Sequence, residues 1–252
     1  MTTETYYYGE GKVWSRAAGG KWRWWGDVSA LSLAVEIEKA EHIESHSGQK
    51  GLARSFAVGK AVTLNATLHQ IDTTAIAEGL YGAVSAIAAG TVTDEGLGTV
   101  AAGDTIKLAF GAVSDVVITD STGSPATIDP SHYDLDARFG SIEFLTLPTG
   151  PAPTQPLKAT YDHAAGSQAN FLTQAAKSVE FRYEGVNLAE ENAPVIVALY
   201  KVSSEPFQEL ALITDGNDVA GTPLTSAVLI DTSKSASGSL GQFGRFVQYE
   251  TE

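Results

Sequence analysis

Residues 28–38 read VSALSLAVEIE, and residues 61–69 read AVTLNATLH. In the first stretch Leu31, Leu33, Val35 and Ile37 alternate with Ser32, Ala34, Glu36 and Glu38. In the second, Val62, Leu64, Ala66 and Leu68 alternate with Thr63, Asn65, Thr67 and His69. A period of two marks strands buried on one face. The opposite face must meet water or another polar surface. Between the two strands runs KAEHIESHSGQKGLARSFAV, residues 39–58, which reads as a polar loop made pliable by Gly48 and Gly51. A structureless loop of this length inside a compact domain is normally functional. Ordering against a neighbouring subunit fits it.

The chain has 252 residues, enough for one large β domain or two smaller ones. Its 43% hydrophobic content supplies a packed core, and 25 glycines among many Thr, Val and Ser residues point to β structure with many turns. The one long uncharged run, at 79–93, is mostly Ala and Gly and is too short and too weakly apolar to span a bilayer, so no membrane is expected. The start, MTTETYYYGEG, has neither a basic region nor an apolar core, so no signal peptide is expected. With no cysteine there is neither disulfide nor thiolate metal site, in keeping with a reducing compartment.

Net charge is −14 and unevenly spread. Residues 1–60 hold eight of the sixteen Lys and Arg against seven of the thirty Asp and Glu, leaving +1 there and −15 in the remainder. Tight nucleic-acid binding needs clustered cations and is disfavoured. An acidic surface near DNA is useful where DNA must pass without sticking.

Residues 1–27 form an aromatic arm that holds all four tryptophans, Trp14, Trp22, Trp24 and Trp25, interleaved with Arg16, Lys21 and Arg23. Aromatics of this density serve packing or a subunit contact. The mixture also matches a stacking surface for single strands, against which the acidic chain argues. After the second strand, Asp72 caps a helix starting at Thr73, with Ile76, Leu80, Val84 and Ile87 on one face and Gly79 and Gly82 weakening it. Residues 88–103 read as a linker. Short strands follow at 105–110, 116–119, 132–135, 141–145 and 157–161, then a second linker at 164–177. The C-terminal part resumes with strands at 179–184, at VIVALYKV (195–202, apolar on both faces and therefore central), and at 209–214, 226–231 and 245–250.

The expected fold is therefore mainly β. It comprises an N-terminal arm (1–27), a β-sandwich or barrel domain (28–90 and 164–252) with a flanking short helix, and an inserted small β module (91–163).

No catalytic constellation emerges. HIESH places His42 and His46 four apart, but Glu44 sits between them and the segment reads as loop, so no zinc site is expected. Asp129, Asp134 and Asp136 lack the Gly and terminal Glu of a calcium loop, and Asp215, Asn217 and Asp218 are similarly incomplete. Turn chemistry accounts for both groups. His69, His132 and His163 are scattered. No phosphate loop, nucleophile elbow or carboxylate pair is present, and no enzyme activity, cofactor or metal is expected.

The ordered set YYYGEGKVW, GDVSALSLAVEIE, the loop with central SGQKG, AVTLNATLHQIDTTAIAEGLYG and the insert VVITDSTGSPATIDPSHYDLDARFGSIEFL resembles the major tail (tail tube) proteins of long-tailed bacteriophages. The resemblance covers most of residues 6–250, and the order of elements carries it. It implies a tail-tube-type β-sandwich whose six copies form a ring with a continuous inner β-barrel. Stacked rings give a hollow tube in the virion tail, assembled in the host cytoplasm, through which genomic DNA leaves without sequence-specific binding. Other tail proteins meet the tube ends. On this resemblance Glu36, Glu38, Thr63, Asn65 and Thr67 are lumen candidates. Glu41, His42, Glu44, His46, Lys50 and Arg54 are inter-ring or inter-subunit loop candidates, and the four tryptophans are arm contacts. Three alternatives stay open: an adhesive β-sandwich module binding glycan or protein through the aromatic arm, a secretion-tube protein, and a β-fold hydrolase.

Overall fold

The computed structural model describes residues 6–46, 48–214 and 219–250. Along the chain run β1 (Gly9–Ala17), β2 (Arg23–Trp24), β3 (Val28–Ile43), β4 (Leu52–Leu68), helix α1 (Thr73–Gly79), β5 (Val84–Ile87), β6 (Gly90–Gly98), β7 (Thr105–Lys107) and β8 (Val113–Thr119). After a 3-10 turn at Pro130–His132 come β9 (Tyr133–Asp136), β10 (Ser141–Phe144), β11 (Leu157–His163), β12 (Gly166–Ala169), β13 (Ser178–Asn187), β14 (Ala193–Ser203), β15 (Thr222–Val228) and β16 (Gly244–Gln248). The fold is mainly β, with one short helix among the described residues. The chain divides into two compact units, Met1–Val84 with Ala169–Glu252, and Ser85–Gln168.

The first unit is built on one sheet ordered β2-β1-β13-β14-β15-β4-β3, with β16 also on β14. A single bridging pair, Val202 with Val228, joins β14 to β15. Its core draws Val13, Phe181, Tyr183, Val195 and Leu199 from one side of that junction and Leu64 and Val228 from the other. The sheet therefore folds over on itself as a sandwich. Each large side chain buried there contributes about 1.5–3 kcal/mol. The segment VIVALYKV is central, as its two apolar faces predict: β13 lies on one edge and β15 and β16 share the other. Among the described residues no sheet closes into a barrel; β2 and β3 remain open ends.

Several sequence-based boundaries change. Residues 9–17 of the expected arm are strand β1, laddered to β13 from Gly9↔Asn187 to Ala17↔Val179. Just before β1 the main chain is clamped by buried Asn187: the Tyr8 N–H donates to its Oδ1 at 2.9 Å, and its Nδ2 donates to the Tyr6 carbonyl at 2.8 Å. The helix begins as expected, with Asp72 Oδ1 accepting the Ala75 N–H at 2.7 Å. It ends at Gly79: Tyr81 turns left-handed with φ 50°, and the Gly79 carbonyl accepts from the Phe207 N–H at 2.6 Å and not from a further helical turn. Val84 and Ile87 consequently belong to β5, not to a helix face. Both expected linkers contain strands, β6 laddered to β11 and β12 beside β5; long-range pairing outweighs their Gly-rich composition. The expected strand at 209–214 has no ladder partner and is loop.

The second unit packs sheet β6-β11-β8 with sheet β7-β10-β9. Leu157, Ala159 and Tyr161 alternate inward from β11 to meet Ile118, Ile142 and Phe144. Buried Asp120 closes the loop after β8. It accepts from the Ala126 N–H and the Thr122 hydroxyl, each at 2.8 Å, and from the Thr122 and Thr154 N–H groups at 3.3 Å. These donors, the Ala126 amide foremost, pull its pKa down to about 2. A depressed folded pKa contributes stability above the ordinary carboxylate value, lost as pH falls toward 2. Asp120→Asn should lower the melting temperature of this unit at pH 7 by about 5 °C. It should also flatten the acid limb between pH 4 and pH 2 in calorimetry. An acid limb as steep as that of the wild type would contradict this role.

Candidate assembly surface

β3 and β4 form one long antiparallel hairpin from Val28↔Leu68 out to Ile43↔Leu52. The expected loop at 39–58 thus shrinks to the turn 44–51, where the Glu44 N–H donates to the Gly51 carbonyl at 2.9 Å. Gly48 and Lys50 take left-handed φ of 79° and 49° to reverse the chain; Ser47 lies outside the described residues. Of the loop candidates, Glu41 and His42 are on β3 and Arg54 is on β4, with His42 opposite Arg54 and Glu41 opposite Ser55. Glu44, His46 and Lys50 stay in the turn, where His46 Nδ1 lies 3.0 Å from the Glu44 carboxylate. Two bulges explain why the sequence appeared to stop being strand. The register slips between Glu38↔Gly59 and Lys39↔Ala57, leaving Val58 over, and again after His42↔Arg54. Each extra residue breaks the two-residue period.

Register settles which residues share a face. Glu36 pairs with Ala61, Glu38 with Gly59, Ala34 with Thr63, Ser32 with Asn65 and Ala30 with Thr67. Glu36, Glu38, Thr63, Asn65 and Thr67 therefore stand on one face of the ribbon. Leu31, Leu33, Val35 and Ile37 occupy the other, opposite Ala66, Leu64, Val62 and Lys60.

That apolar face is buried for only part of its length. Leu64 and Ala66 are in the core, with Leu31 and Val62 against it. Beyond them Leu33, Val35 and Ile37 are 43%, 68% and 49% exposed, which corrects the expectation that all four β3 residues are buried. Two causes combine. Leu33 and Val35 lie opposite Leu64 and Val62, which β15 still flanks, so they are bare because β3 has no strand on its outer side. Ile37 lies opposite Lys60, past the end of β15 at Val228↔Val62, where the outer half of the ribbon continues alone. Further out on this face Lys39 and Glu41 interrupt the stripe before exposed Ile43 and Leu52, while exposed Phe56, opposite Ala40, stands on the Glu36 face. β3 is also an edge strand along all sixteen residues, paired to β4 alone. Its outward N–H and C=O groups are a template for another strand, and the one bulge in its own strand, at Ser29, together with Lys39 gives it only partial protection.

The tryptophans divide. Trp25 is a core residue: its ring meets Phe181 edge-on at 5.5 Å, and its Nε1 donates to Ser15 Oγ at 2.7 Å. Trp14 pairs across the strands with Trp24, and its Nε1 is buried with no partner among the described residues. Trp22 and Trp24 are partly exposed, covered by the Arg16 guanidinium at 4.5 Å and the Lys12 ammonium at 5.8 Å. Sequence reasoning missed the bare aliphatic stripe, and Leu33–Ile37 gave no local sign of it.

Elsewhere the polar groups serve turns. Asp129 accepts the Ser131 N–H at 2.9 Å, and Asp136 pairs with Arg138 at 3.1 Å; these donors lower both carboxyl pKa values. His69 bridges the Ala220 carbonyl and Ser29 Oγ. Asp215, Asn217 and Asp218 lie outside the described residues. Among the described residues no three His, Asp or Glu gather where a metal could sit, and no helix is long and apolar enough to cross a membrane.

No curated protein matches the chain. A family model described as "Protein of unknown function UCP028589" matches residues 6–247. The match spans most of both units, and the chain belongs to that family.

Proposed function

We propose that this protein is a structural, self-assembling subunit of a hollow tube, of the kind its resemblance to phage tail tube proteins implies. The carrying observation is the β3–β4 ribbon. It extends beyond its own core, with Leu33, Val35 and Ile37 bare on one face, Glu36, Glu38 and Thr63 on the other, and the outer edge of β3 without a partner strand among the described residues. A ring of copies meets all three conditions at once. Neighbouring ribbons join edge to edge, the aliphatic face turns into the protein wall, and the polar face lines a water-filled bore. Six-fold rings, stacking, virion location and DNA delivery follow from the resemblance and belong to this proposal, as does a role without catalysis.

Electron microscopy of the purified full chain tests the assembly, with rings or tubes as the expected result. A monomer at high concentration that binds glycan through Trp22 and Trp24 would replace it with the adhesive reading. The lumen assignment has its own test. Carboxylates at Glu36 and Glu38 repel passing phosphates over roughly 10 Å at 0.1 M salt. Glu36→Lys with Glu38→Lys should slow DNA release from reconstituted particles at low salt, with recovery as salt rises. Release kinetics identical to wild type at low salt would remove these residues from the bore.

A further inference from the structure

The first unit contains a cavity of about 390 Å³ at the α1 end of the sandwich. Its floor is apolar, with Leu68, Val202 and Leu224 from the sheet, Trp25 from just after β2 and Ala77 from α1, and Phe207 forms one wall. This volume is in the range that proteins use to enclose a ligand or an inserted side-chain pair. Arg16, Lys21, Arg23 and Lys177 surround it, facing Glu78 and Glu205. Arg23 is paired with Glu78, and Arg16 with Glu180 at 2.6 Å. Lys21 and Lys177 have no carboxylate at ion-pair distance among the described residues. Arg23 Nε is buried without a hydrogen-bond partner among them. The cavity thus combines an apolar floor with two lysines and one glutamate, Glu205, outside any ion pair among the described residues, a surplus of one positive charge in a chain whose net charge is −14.

A few residues beyond Phe207, the chain displays the complement. Residues 209–213 read ELALI, an acid followed by aliphatics, and Leu212 and Ile213 are 84% and 93% exposed. Val219 is 72% exposed. Single exposed aliphatics are ordinary, but adjacent ones this bare point to a covering partner. In their own subunit both side chains stand outside the cavity that Phe207 helps to line.

We propose that the Glu209–Ile213 segment of one copy enters the α1-side cavity of the next, seating Leu212 and Ile213 on its apolar floor and Glu209 beside Lys21 and Lys177. Donor and acceptor are different surfaces, so the contact is head-to-tail and repeats from copy to copy, closing a ring where the rotation allows. The inference rests on the assembly reading, because it requires copies to meet. It adds a second contact that the ribbon does not use.

The chain has no cysteine, so engineered thiols report cleanly. One full-length chain carries Ile213→Cys, a second carries Gln174→Cys, which lines the cavity and leaves both lysines in place, and the two are mixed and treated with a short thiol cross-linker. The expected product is a mixed dimer, absent when the first chain carries Ser124→Cys in the other unit instead. Leu212→Asp with Ile213→Asp, at exposed positions that leave the fold intact, should weaken self-association at least tenfold by analytical ultracentrifugation. No mixed dimer, or undiminished association of the double Asp variant, overturns the contact. Tubes without the cross-link remove this contact and leave the tube reading standing. The cross-link in a protein that forms only open chains sustains the contact and removes the tube reading.

Discussion

Val35→Asp with Ile37→Asp should leave the chain folded and monomeric while abolishing rings and tubes. Both side chains are about half exposed or more in the single subunit, so the fold loses little when they change. Surface substitutions of this kind normally shift stability by no more than about 0.5 kcal/mol. In an assembly with the aliphatic face turned inward, each position loses about 1.5–3 kcal/mol of apolar burial, and a carboxylate is left in a dry contact. Two such sites lower the association constant by about a hundredfold or more per interface. Sedimentation velocity with circular dichroism checks both halves of the expectation: a monomer peak, and a melting temperature close to wild type. Rings that survive both aspartates would show that the bare stripe faces solvent in the assembly, and the ribbon argument would fall.

Phe144→Ala should unfold the second unit and spare the first. Phe144 is fully buried among Ile118, Ile142, Leu157 and Tyr161, and truncating a buried Phe costs about 3–5 kcal/mol. A unit of this size has a total stability of that order, so little remains. The first unit has a separate core around Phe181, Leu64 and Val195. Differential scanning calorimetry of the variant should lose one transition and keep the other, and limited proteolysis should cut between Ser85 and Gln168 first. Because the ribbon belongs to the first unit, Phe144→Ala should still assemble under the microscope. One cooperative transition shifted as a whole would show that the units do not unfold separately.

The two outcomes separate function from stability. On the proposed assembly, changes at Val35 and Ile37 should affect association and hardly folding, and a change at Phe144 folding and hardly association. Sequence pattern alone ranks all three as core residues, since each is a large apolar side chain in an alternating strand.

What the sequence determined is local. Alternation at 28–38 and 61–69 specified two strands and sorted Glu36, Glu38, Thr63, Asn65 and Thr67 from Leu31, Leu33, Val35 and Ile37, because side chains on a strand point alternately to its two faces. Asp72 set the helix start through one side-chain acceptor. The run VIVALYKV declared a central strand by being apolar on both faces. Tertiary structure decided the rest. Ladder pairing carried the strands through residues 39–43 and 52–58 in spite of bulges at Ala53 and Val58, since pairing across a hairpin is not encoded in either strand alone. Residues 9–17 became a sheet strand because β13 offered a matching edge, and Trp25 joined the core because Ser15 and Phe181 were waiting for it. Above all, periodicity says which face of a ribbon is apolar but not how far its own sandwich reaches. That limit, set by β15 ending against Val62 and by β3 having no strand on its outer side, leaves Leu33, Val35 and Ile37 uncovered.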